Sequence, residues 1–360
     1  MKYLIASANG YGNTGDDLIA SAIAQQIKRV DKSAVISFTR PPFNNTLADL
    51  THILIVGGGG ILYDHDQSAT NANNYMQYID YAKSQGKSAL VVGVGEQGIN
   101  TQSGKQRFSK SLNQADLITV RSEQDKKVLE KIGVERKVYA LADPVFSLKP
   151  NINLSLKFKR LYSFINKKPV LAFNLADLGN QGFKNDAFGQ ATAEPLKEFS
   201  EYIKTSPSLT SVFDHFHVKL VCQSRDDLAY YEQIKSRFDD AELVYHHSET
   251  AMRLFDEFYQ SDLVLTGRYH GLIAAAMLKK PIISVGLTGQ KLDKLVSGEL
   301  SSLKSSFMSI GDFVRADAFA NLYEISKNAQ RPSAPELARA KKLADTNAHY
   351  ILNAVLSVRE

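Results

Sequence analysis

An arginine and a histidine stand two residues apart in the glycine-flanked segment Thr266-Gly267-Arg268-Tyr269-His270-Gly271. Arg268 offers a planar, permanently charged donor fork that suits phosphate or carboxylate. Position 270 supplies a histidine, a residue type that can give or accept a proton. An anionic substrate that needs acid catalysis would use both side chains. The alternative is an interdomain ion pair beside a helix-capping histidine, but Gly267 and Gly271 favour close approach of a ligand.

A second glycine segment, Gly10-Tyr11-Gly12-Asn13-Thr14-Gly15-Asp16-Asp17, lies near the start of the chain. It matches the G-x-G-x-x-G pattern of dinucleotide-binding turns. Asp16 and Asp17 occupy the first turn of the helix that follows and would repel a pyrophosphate, so the pattern does not favour NAD. Two interpretations stay open: a glycine turn capped by Asn13 and Asp16, or direct contact of these two residues with a substrate.

Four consecutive glycines, Gly57 to Gly60, follow the predicted strand Ile53–Val56. Glycine loses more conformational freedom on folding than any other residue, and a structural turn would need only one or two. The run therefore predicts a ligand-facing loop at the carboxyl edge of a sheet, with Gly58, Gly59 and Gly60 as binding residues.

Three further side chains are candidates for the same chemistry. His65 lies between Asp64 and Asp66 just after the glycine run, where it could orient a substrate hydroxyl or belong to a solvated loop. Ser122, followed by Asp125, predicts a helix cap and places Arg121 at a strand-to-helix junction, which is where ligands bind in doubly wound sheets. Lys291 follows another strand edge and is either an additional cation of the site or a solvated lysine at a helix start.

The remaining histidines and the single cysteine do not predict a metal site. The histidines concerned, with spacings unlike those of zinc motifs, are His215, His217, His246 and His247. Cys222 lies in an apolar segment, has no partner for an internal disulfide and suits a reducing cytoplasm. We predict no metal and no cofactor.

Short apolar segments recur along the chain with room for a helix between them, as buried parallel strands do. The predicted strands of the first half are Tyr3 to Ala8, Ala34 to Phe38, Ile53 to Val56, Ser88 to Val94, Leu117 to Val120 and Val138 to Leu141. Those of the second half are Val170 to Asn174, Val218 to Cys222, Glu242 to Tyr245, Leu263 to Thr266 and Ile282 to Val285. The alternation predicts an α/β protein with two doubly wound, Rossmann-like domains.

The periodicity also suggests domain boundaries. Residues 1–148 form the predicted N-terminal domain, and residues 169–332 form the C-terminal one. Between them, residues 149–168 lose the periodic pattern and read as a linker. The segment 333–360 predicts one long amphipathic helix over Ala334 to Val358.

Composition excludes several classes of protein. The chain has 360 residues, of which 44% are hydrophobic and 22% charged, as in ordinary globular proteins and unlike disordered ones. The net charge of +5 is spread along the length, so nucleic acid is not the expected partner. The N-terminal apolar stretch is too short for a signal peptide, and no window is apolar enough for a membrane span. These features predict a cytoplasmic protein.

Five motifs in the same order resemble the polysaccharide pyruvyl transferase family over nearly the whole chain. They are Gly12-Asn13-x-Gly15-Asp16, Gly57-Gly58-Gly59, Val120-Arg121-Ser122, Asp143-Pro144 and Arg268-Tyr269-His270. The resemblance implies a GT-B-like fold and transfer of pyruvate from phosphoenolpyruvate to a sugar as a ketal, in the synthesis of a bacterial surface polysaccharide or exopolysaccharide. Tyr269 stands where the family usually has leucine, which leaves both polar positions of that motif unchanged.

The resemblance also implies roles for the candidate residues. Arg268, Arg121 and Lys291 would bind the phosphate and carboxylate of the donor, and His270 would be the general acid. The saccharide acceptor would lie against the N-terminal domain, near Gly57 to His65, across a cleft from Arg268 to Gly271. The sequence leaves open which sugar accepts pyruvate, whether the acceptor is lipid-linked, whether the protein associates peripherally with a membrane, and its oligomeric state.

Three other functions compete with this hypothesis. A GT-B glycosyltransferase that uses a nucleotide sugar would have the same architecture. An NADP oxidoreductase could place Arg40 on the 2′-phosphate, but Asp16 and Asp17 argue against it. A non-catalytic sugar-binding protein would not depend on His270.

Overall fold

The computed structural model describes residues 1–64, 68–153, 155–156, 168–178 and 190–356, which form two compact units. The N-terminal unit comprises Met1–Tyr11, Asp16–Leu148 and Ala340–Glu360. The C-terminal unit comprises Gly12–Gly15 and Lys149–Arg339. The short segment Gly12–Gly15 thus belongs with the later half of the chain. Most of the predicted linker, 149–168, lies outside the described residues.

In the part of the chain that the structure describes, the N-terminal unit is built on a six-stranded parallel sheet of order β2-β1-β3-β4-β5-β6. The strands are β1 (Lys2–Ala6), β2 (Val35–Thr39), β3 (Ile53–Asp64), β4 (Ser88–Ile99), β5 (Leu117–Val120) and β6 (Val138–Ala140). The helices are α1 (Thr14–Val30), α2 (Asn45–Asp49), α3 (Thr70–Ser84), α4 (Gln102–Leu112) and α5 (Glu123–Lys131). The order confirms the predicted doubly wound topology.

The second sheet, in the C-terminal unit, is also parallel over the described residues, with the order β12-β11-β10-β7-β8-β9. Its strands are β7 (Val170–Asn174), β8 (His217–Cys222), β9 (Glu242–Tyr245), β10 (Leu263–Thr266), β11 (Ile282–Gly286) and β12 (Phe307–Ser309). The helices are α6 (Gln190–Thr205), α7 (Leu209–His215), α8 (Leu228–Lys235), α9 (Leu254–Gln260), α10 (Tyr269–Met277), α11 (Lys291–Ser297), α12 (Ile310–Arg315), α13 (Leu322–Lys327) and α14 (Ala334–Leu356). The sequence did not predict the three-residue edge strand β12.

Local sequence explains where the elements begin. Ser122 precedes α5, and its Oγ accepts a hydrogen bond from Asp125 N at 3.1 Å, which confirms the predicted cap. Thr101 caps α4 in the same way through Gly104 N. Cys222 is buried in β8, and burial raises the pKa of its thiol to about 12, so it is not a reactive thiolate at neutral pH.

The four glycines of Gly57 to Gly60 do not form the predicted loop. They lie inside β3, which continues beyond the predicted Val56 to Asp64 and pairs with β4 through an irregular register. Close packing accounts for the glycines: a Cβ atom on Gly57 would overlap Val92 O, and one on Gly58 would overlap Ile19. The absence of side chains here lets two strands and α1 approach each other closely.

The long C-terminal helix is confirmed, with α14 spanning Ala334–Leu356; Val358, the predicted end, lies outside the described residues. Its residues up to Arg339 belong to the C-terminal unit, and those from Ala340 belong to the N-terminal unit. Among the residues with described positions, no helix combines the length and the apolar character that a membrane span requires.

The start of α14 generates a prediction about stability and pH. Burial opposes the charge on Glu336, but hydrogen bonds from Ser301 and Ser302 outweigh it and lower the pKa of Glu336 to about 2. This stabilisation is present above the ordinary pKa of 4.5 and is lost as the pH falls towards 2. Glu336→Gln should therefore lower the free energy of unfolding by about 1 kcal/mol at pH 7, and by less at pH 4. Urea denaturation at the two pH values measures the difference, and an equal loss at both would contradict it.

Candidate active site

A row of buried polar side chains lies at the carboxyl edge of the C-terminal sheet. Thr266 and Asn174 are register partners at the ends of β10 and β7. Asn174 Oδ1 accepts hydrogen bonds from Thr266 Oγ1 at 2.8 Å and from Gln223 Nε2 at 3.0 Å. Asn174 Nδ2 donates to Val221 O at 2.6 Å. Because the three side chains are buried and bonded to one another, they form a rigid floor below the first turn of α10.

The glycines that flank the Arg-x-His motif pack against this floor. A Cβ atom on Gly271 would overlap Asn174 Oδ1 and lie 2.6 Å from Thr266 Oγ1. Gly267 N donates to Asn174 O at 2.9 Å. Position 271 therefore needs glycine because neighbouring protein atoms leave no room for a side chain. The sequence predicts a different reason, which is close approach of a ligand. The roles of Gly267 and Gly271 in binding stay predictions.

Arg268 is held at the N-terminal end of α10 by bonds at both ends of the residue. Its backbone N donates to Thr266 Oγ1 at 3.1 Å, and its guanidinium Nη2 donates to the carboxylate of Asp227. The Arg268 side chain is 14% exposed, and that of Asp227 is 1% exposed. Burial opposes the charge on Arg268, but Asp227 outweighs it and raises the pKa of Arg268 above its ordinary value. Burial also raises the pKa of Asp227, against the effect of Arg268.

The segment Gly12–Gly15 is bound to the C-terminal unit by its backbone. Thr14 N donates to Gln223 O at 2.9 Å, and Arg225 N donates to Gly12 O at 2.8 Å. Tyr245 OH adds a bond to Gly12 O at 2.7 Å. Gly12 has a φ of +89°, which an L side chain rarely adopts. The dinucleotide-like pattern therefore corresponds to a turn paired with the residues after β8.

This turn brings Gly15 against the histidine of the motif. A Cβ atom on Gly15 would overlap Nδ1 of His270, so the imidazole packs directly on the backbone of the turn. Gly15 N donates to Asn13 Oδ1 at 3.0 Å, as the capping interpretation of Asn13 requires. His270 is half-buried, and its Nε2 atom is buried. The structure thus places a buried guanidinium on the residue that precedes α10 and a half-buried imidazole on the second residue of the same helix.

In the N-terminal unit, Arg121 forms a separate buried cationic site. It follows β5 and is 6% exposed, and its Nη1 lies 3.8 Å from Asp143 Oδ2. A Cβ atom on Gly95 would overlap its guanidinium, so the planar group lies on the backbone of β4. The Val-Arg-Ser and Asp-Pro motifs therefore meet, since Pro144 packs on Gly93 of the same strand. Arg121 and Arg268 belong to different units.

The other predicted site residues have varied surroundings. Asp16 Oδ1 lies 3.2 Å from the position of a Cβ atom on Gly59, and a Cβ atom on Gly60 would overlap Gln97. Lys291 is exposed at the first residue of α11. His65 lies outside the described residues. The part of the chain with described positions contains no group of three or more His, Cys, Asp and Glu side chains that could hold a metal ion.

Sequence reasoning missed the residues that support the motif. Asn174, Gln223 and Asp227 were not selected, although Asn174 ends a predicted strand and Gln223 follows one. Position relative to the strand ends was the signal that could have found them, because carboxyl ends of parallel strands meet at one edge. Asp227 carried no such signal, since only the folding of the turn Arg225–Asp227 brings it to Arg268.

Comparison with known families decides what kind of protein this is. The sequence model of the polysaccharide pyruvyl transferase family matches residues 13–288, well over half of the chain. The chain belongs to this family. The match confirms the resemblance that the five motifs indicated, and it identifies this pyruvyl transferase family member as a transferase. No curated protein matches the chain.

Solved structures similar to this family member share its fold at low identity. A putative UDP-N-acetylglucosamine 2-epimerase from Listeria monocytogenes has a TM-score of 0.58 and 11% identity, over 100% of this chain and 96% of that one. The UDP-GlcNAc 2-epimerase of Methanocaldococcus jannaschii has a TM-score of 0.56 and 12% identity, over 98% and 100%. That of Neisseria meningitidis, bound to UDP-GlcNAc, has a TM-score of 0.52 and 12% identity, over 99% and 100%. They confirm the GT-B-like fold.

The contact between Gly15 and His270 predicts a strong effect of a single methyl group. Gly15→Ala should displace the imidazole, shift the nuclear magnetic resonance signals of the His270 ring and reduce transferase activity by about 10²-fold. Gly298→Ala, in the same unit, is the control. The atom nearest to a Cβ at that position would be 3.2 Å away, so the added methyl group makes a close contact there without overlap. Unchanged His270 signals in the Gly15 variant would show that the turn does not position the ring.

The buried ion pair predicts that the losses of stability caused by substituting its two residues do not add. Asp227→Asn and Arg268→Gln should each lower the free energy of unfolding by about 3 kcal/mol, because each leaves one buried charge unpaired. The double variant should lose less than the sum of the two. Chemical denaturation measures all three, with Asp312→Asn, in an exposed ion pair with Arg315, as a nearly neutral control. Additive losses would contradict direct pairing.

Proposed function

We propose that this transferase moves pyruvate from phosphoenolpyruvate to two hydroxyls of one sugar residue, forming a ketal in the synthesis of a bacterial surface polysaccharide or exopolysaccharide. The observation that carries the proposal is the placement of both Arg268 and His270 at the N-terminal end of α10. A fixed cation and a proton donor so arranged suit a substrate that is anionic and needs protonation. Membership of the family supports the same chemistry.

The donor would bind at the N-terminal end of α10. The backbone N–H groups of the first turn would direct their partial positive charge at an anion placed there, beside the Arg268 guanidinium that Asp227 holds in place. Phosphoenolpyruvate carries both a phosphate and a carboxylate, so it needs several donors in a fixed geometry. The floor of Asn174 and Thr266 supplies that rigidity, because it bonds to the backbone of Arg268 and contacts Gly271.

His270 would begin the reaction by protonating C3 of the enol. This converts the methylene into a methyl group and makes C2 electrophilic. One sugar hydroxyl then adds to C2, the bond between C2 and the phosphate oxygen breaks, and the second hydroxyl adds. Of the two hydroxyl protons, one replaces the proton that His270 gave and the other leaves with inorganic phosphate. Protonation supplies the activation, so we propose no metal and no cofactor.

The remaining candidates complete the proposal. Arg121, which Asp143 holds in the N-terminal unit, is proposed as a second cation that binds phosphoenolpyruvate. Lys291 is proposed as a third. Asn13, Asp16, Gly58 to Gly60 and His65 are proposed to face the acceptor. The reaction is placed in the cytoplasm, where phosphoenolpyruvate is produced, at the inner face of the membrane if the acceptor is lipid-linked.

A nucleotide-sugar glycosyltransferase is the second candidate. The likeness to an epimerase structure bound to UDP-GlcNAc, which shows the fold alone, is compatible with it. Isothermal titration with UDP-sugars, GDP-sugars and phosphoenolpyruvate separates the two functions. Heat from a nucleotide sugar, with none from phosphoenolpyruvate, would reject the pyruvyl transfer.

Turnover is tested by phosphate release from phosphoenolpyruvate in the presence of galactosides, glucosides or N-acetylmannosaminides. With an accepted sugar, His270→Gln should lower kcat by about 10²-fold to 10⁴-fold and leave donor binding nearly intact, because it removes the proton donor and leaves the arginines that would bind the donor.

His215→Gln is the matched control, since His215 lies on α7 of the same unit, with its Nδ1 2.8 Å from Ser211 O and its ring stacked on Tyr323. It should retain normal turnover. Near-normal turnover of the His270 variant would remove His270 from the chemistry.

A further inference from the structure

The charge balance around Arg268 leaves the donor site short of positive charge. The guanidinium of Arg268 is paired with the carboxylate of Asp227, so the two together contribute little net charge to an incoming anion. Phosphoenolpyruvate, which the function proposed above assigns to this site, carries a dianionic phosphate in addition to its carboxylate. Arg121 and Lys291 are proposed for the same anion, and a further cation close to the first turn of α10 would strengthen its binding.

Arg225 has the required charge and exposure. It begins the short 3₁₀ turn Arg225–Asp227, two residues before the partner of Arg268, and it is exposed. Over the described part of the chain, no carboxylate forms an ion pair with its guanidinium.

The backbone of Arg225 is fixed beside the turn that carries Gly15. Arg225 N donates to Gly12 O at 2.8 Å, and Nε of Arg225 lies 3.4 Å from the position of a Cβ atom on Gly12. The same turn packs on the His270 imidazole through Gly15. Two sets of contacts therefore link Arg225 to the motif. Arg225 bonds to the turn Gly12–Gly15, which packs on His270, and it lies two residues before Asp227, which pairs with Arg268.

We propose that Arg225 is a further anion-binding residue of the donor site and that it binds the phosphate group. The proposal rests on the proposed function, because it takes phosphoenolpyruvate as the donor. The phosphate bears the larger charge of the donor's two anionic groups, so the unpaired guanidinium is assigned to it. Inorganic phosphate, the product, should then contact the same side chain.

Steady-state kinetics test this role. Arg225→Ala should raise KM for phosphoenolpyruvate by about tenfold, weaken inhibition by inorganic phosphate by a similar factor and change kcat less than twofold. Arg225→Lys should restore part of both losses, because it keeps the charge without the planar fork. Raising the salt concentration should also increase KM less in the alanine variant than in the unmodified enzyme.

Arg331→Ala is the matched control. Arg331 is an exposed arginine of the same unit whose Nη1 bonds to Lys279 O, beyond the other end of α10 from Arg268. It should leave both constants unchanged. If the unmodified enzyme turns over phosphoenolpyruvate while Arg225→Ala keeps the same KM and the same inhibition, Arg225 does not bind the donor. If the unmodified enzyme releases no phosphate with any acceptor, the proposed function fails and this role fails with it.

Discussion

A buried charge must be paired, and the pairing of Arg268 with Asp227 is the constraint from which the arrangement of the C-terminal site follows. Asp227 is almost completely inaccessible, so its carboxylate has to meet a cation or lose its charge. Meeting Arg268 fixes the guanidinium at the beginning of α10. Arg268 is the residue before α10, so its position also sets where the helix starts and where the backbone of His270 lies two residues later.

The floor below the helix meets a second requirement, that buried polar groups be hydrogen-bonded. Asn174 and Thr266 satisfy each other and leave space only for a glycine at position 271. On the other side, the turn Gly12–Gly15 leaves space for the imidazole only because Gly15 has no side chain. Two glycines that a motif search would assign to a ligand are therefore also needed by the protein itself.

The strand ends and helix starts were predictable because apolar periodicity and capping residues are local properties of the chain. Leu117–Val120, with Arg121 at its end and Ser122 as the cap, was predicted as it is observed. The run of four glycines was misjudged, because the residues that require them, such as Val92 and Ile19, are distant in sequence. Asp227 was missed for the same reason, since its partner lies 41 residues further along the chain.

The central claim is that the transfer proceeds by protonation of C3 of phosphoenolpyruvate, and solvent isotope incorporation tests it most directly. When the reaction is run in D₂O with an accepted sugar, the account predicts a ketal whose methyl group contains one deuterium, detected by mass spectrometry and nuclear magnetic resonance. A product that retains an intact methylene, as an enolpyruvyl ether would, or a methyl group without deuterium would contradict the account.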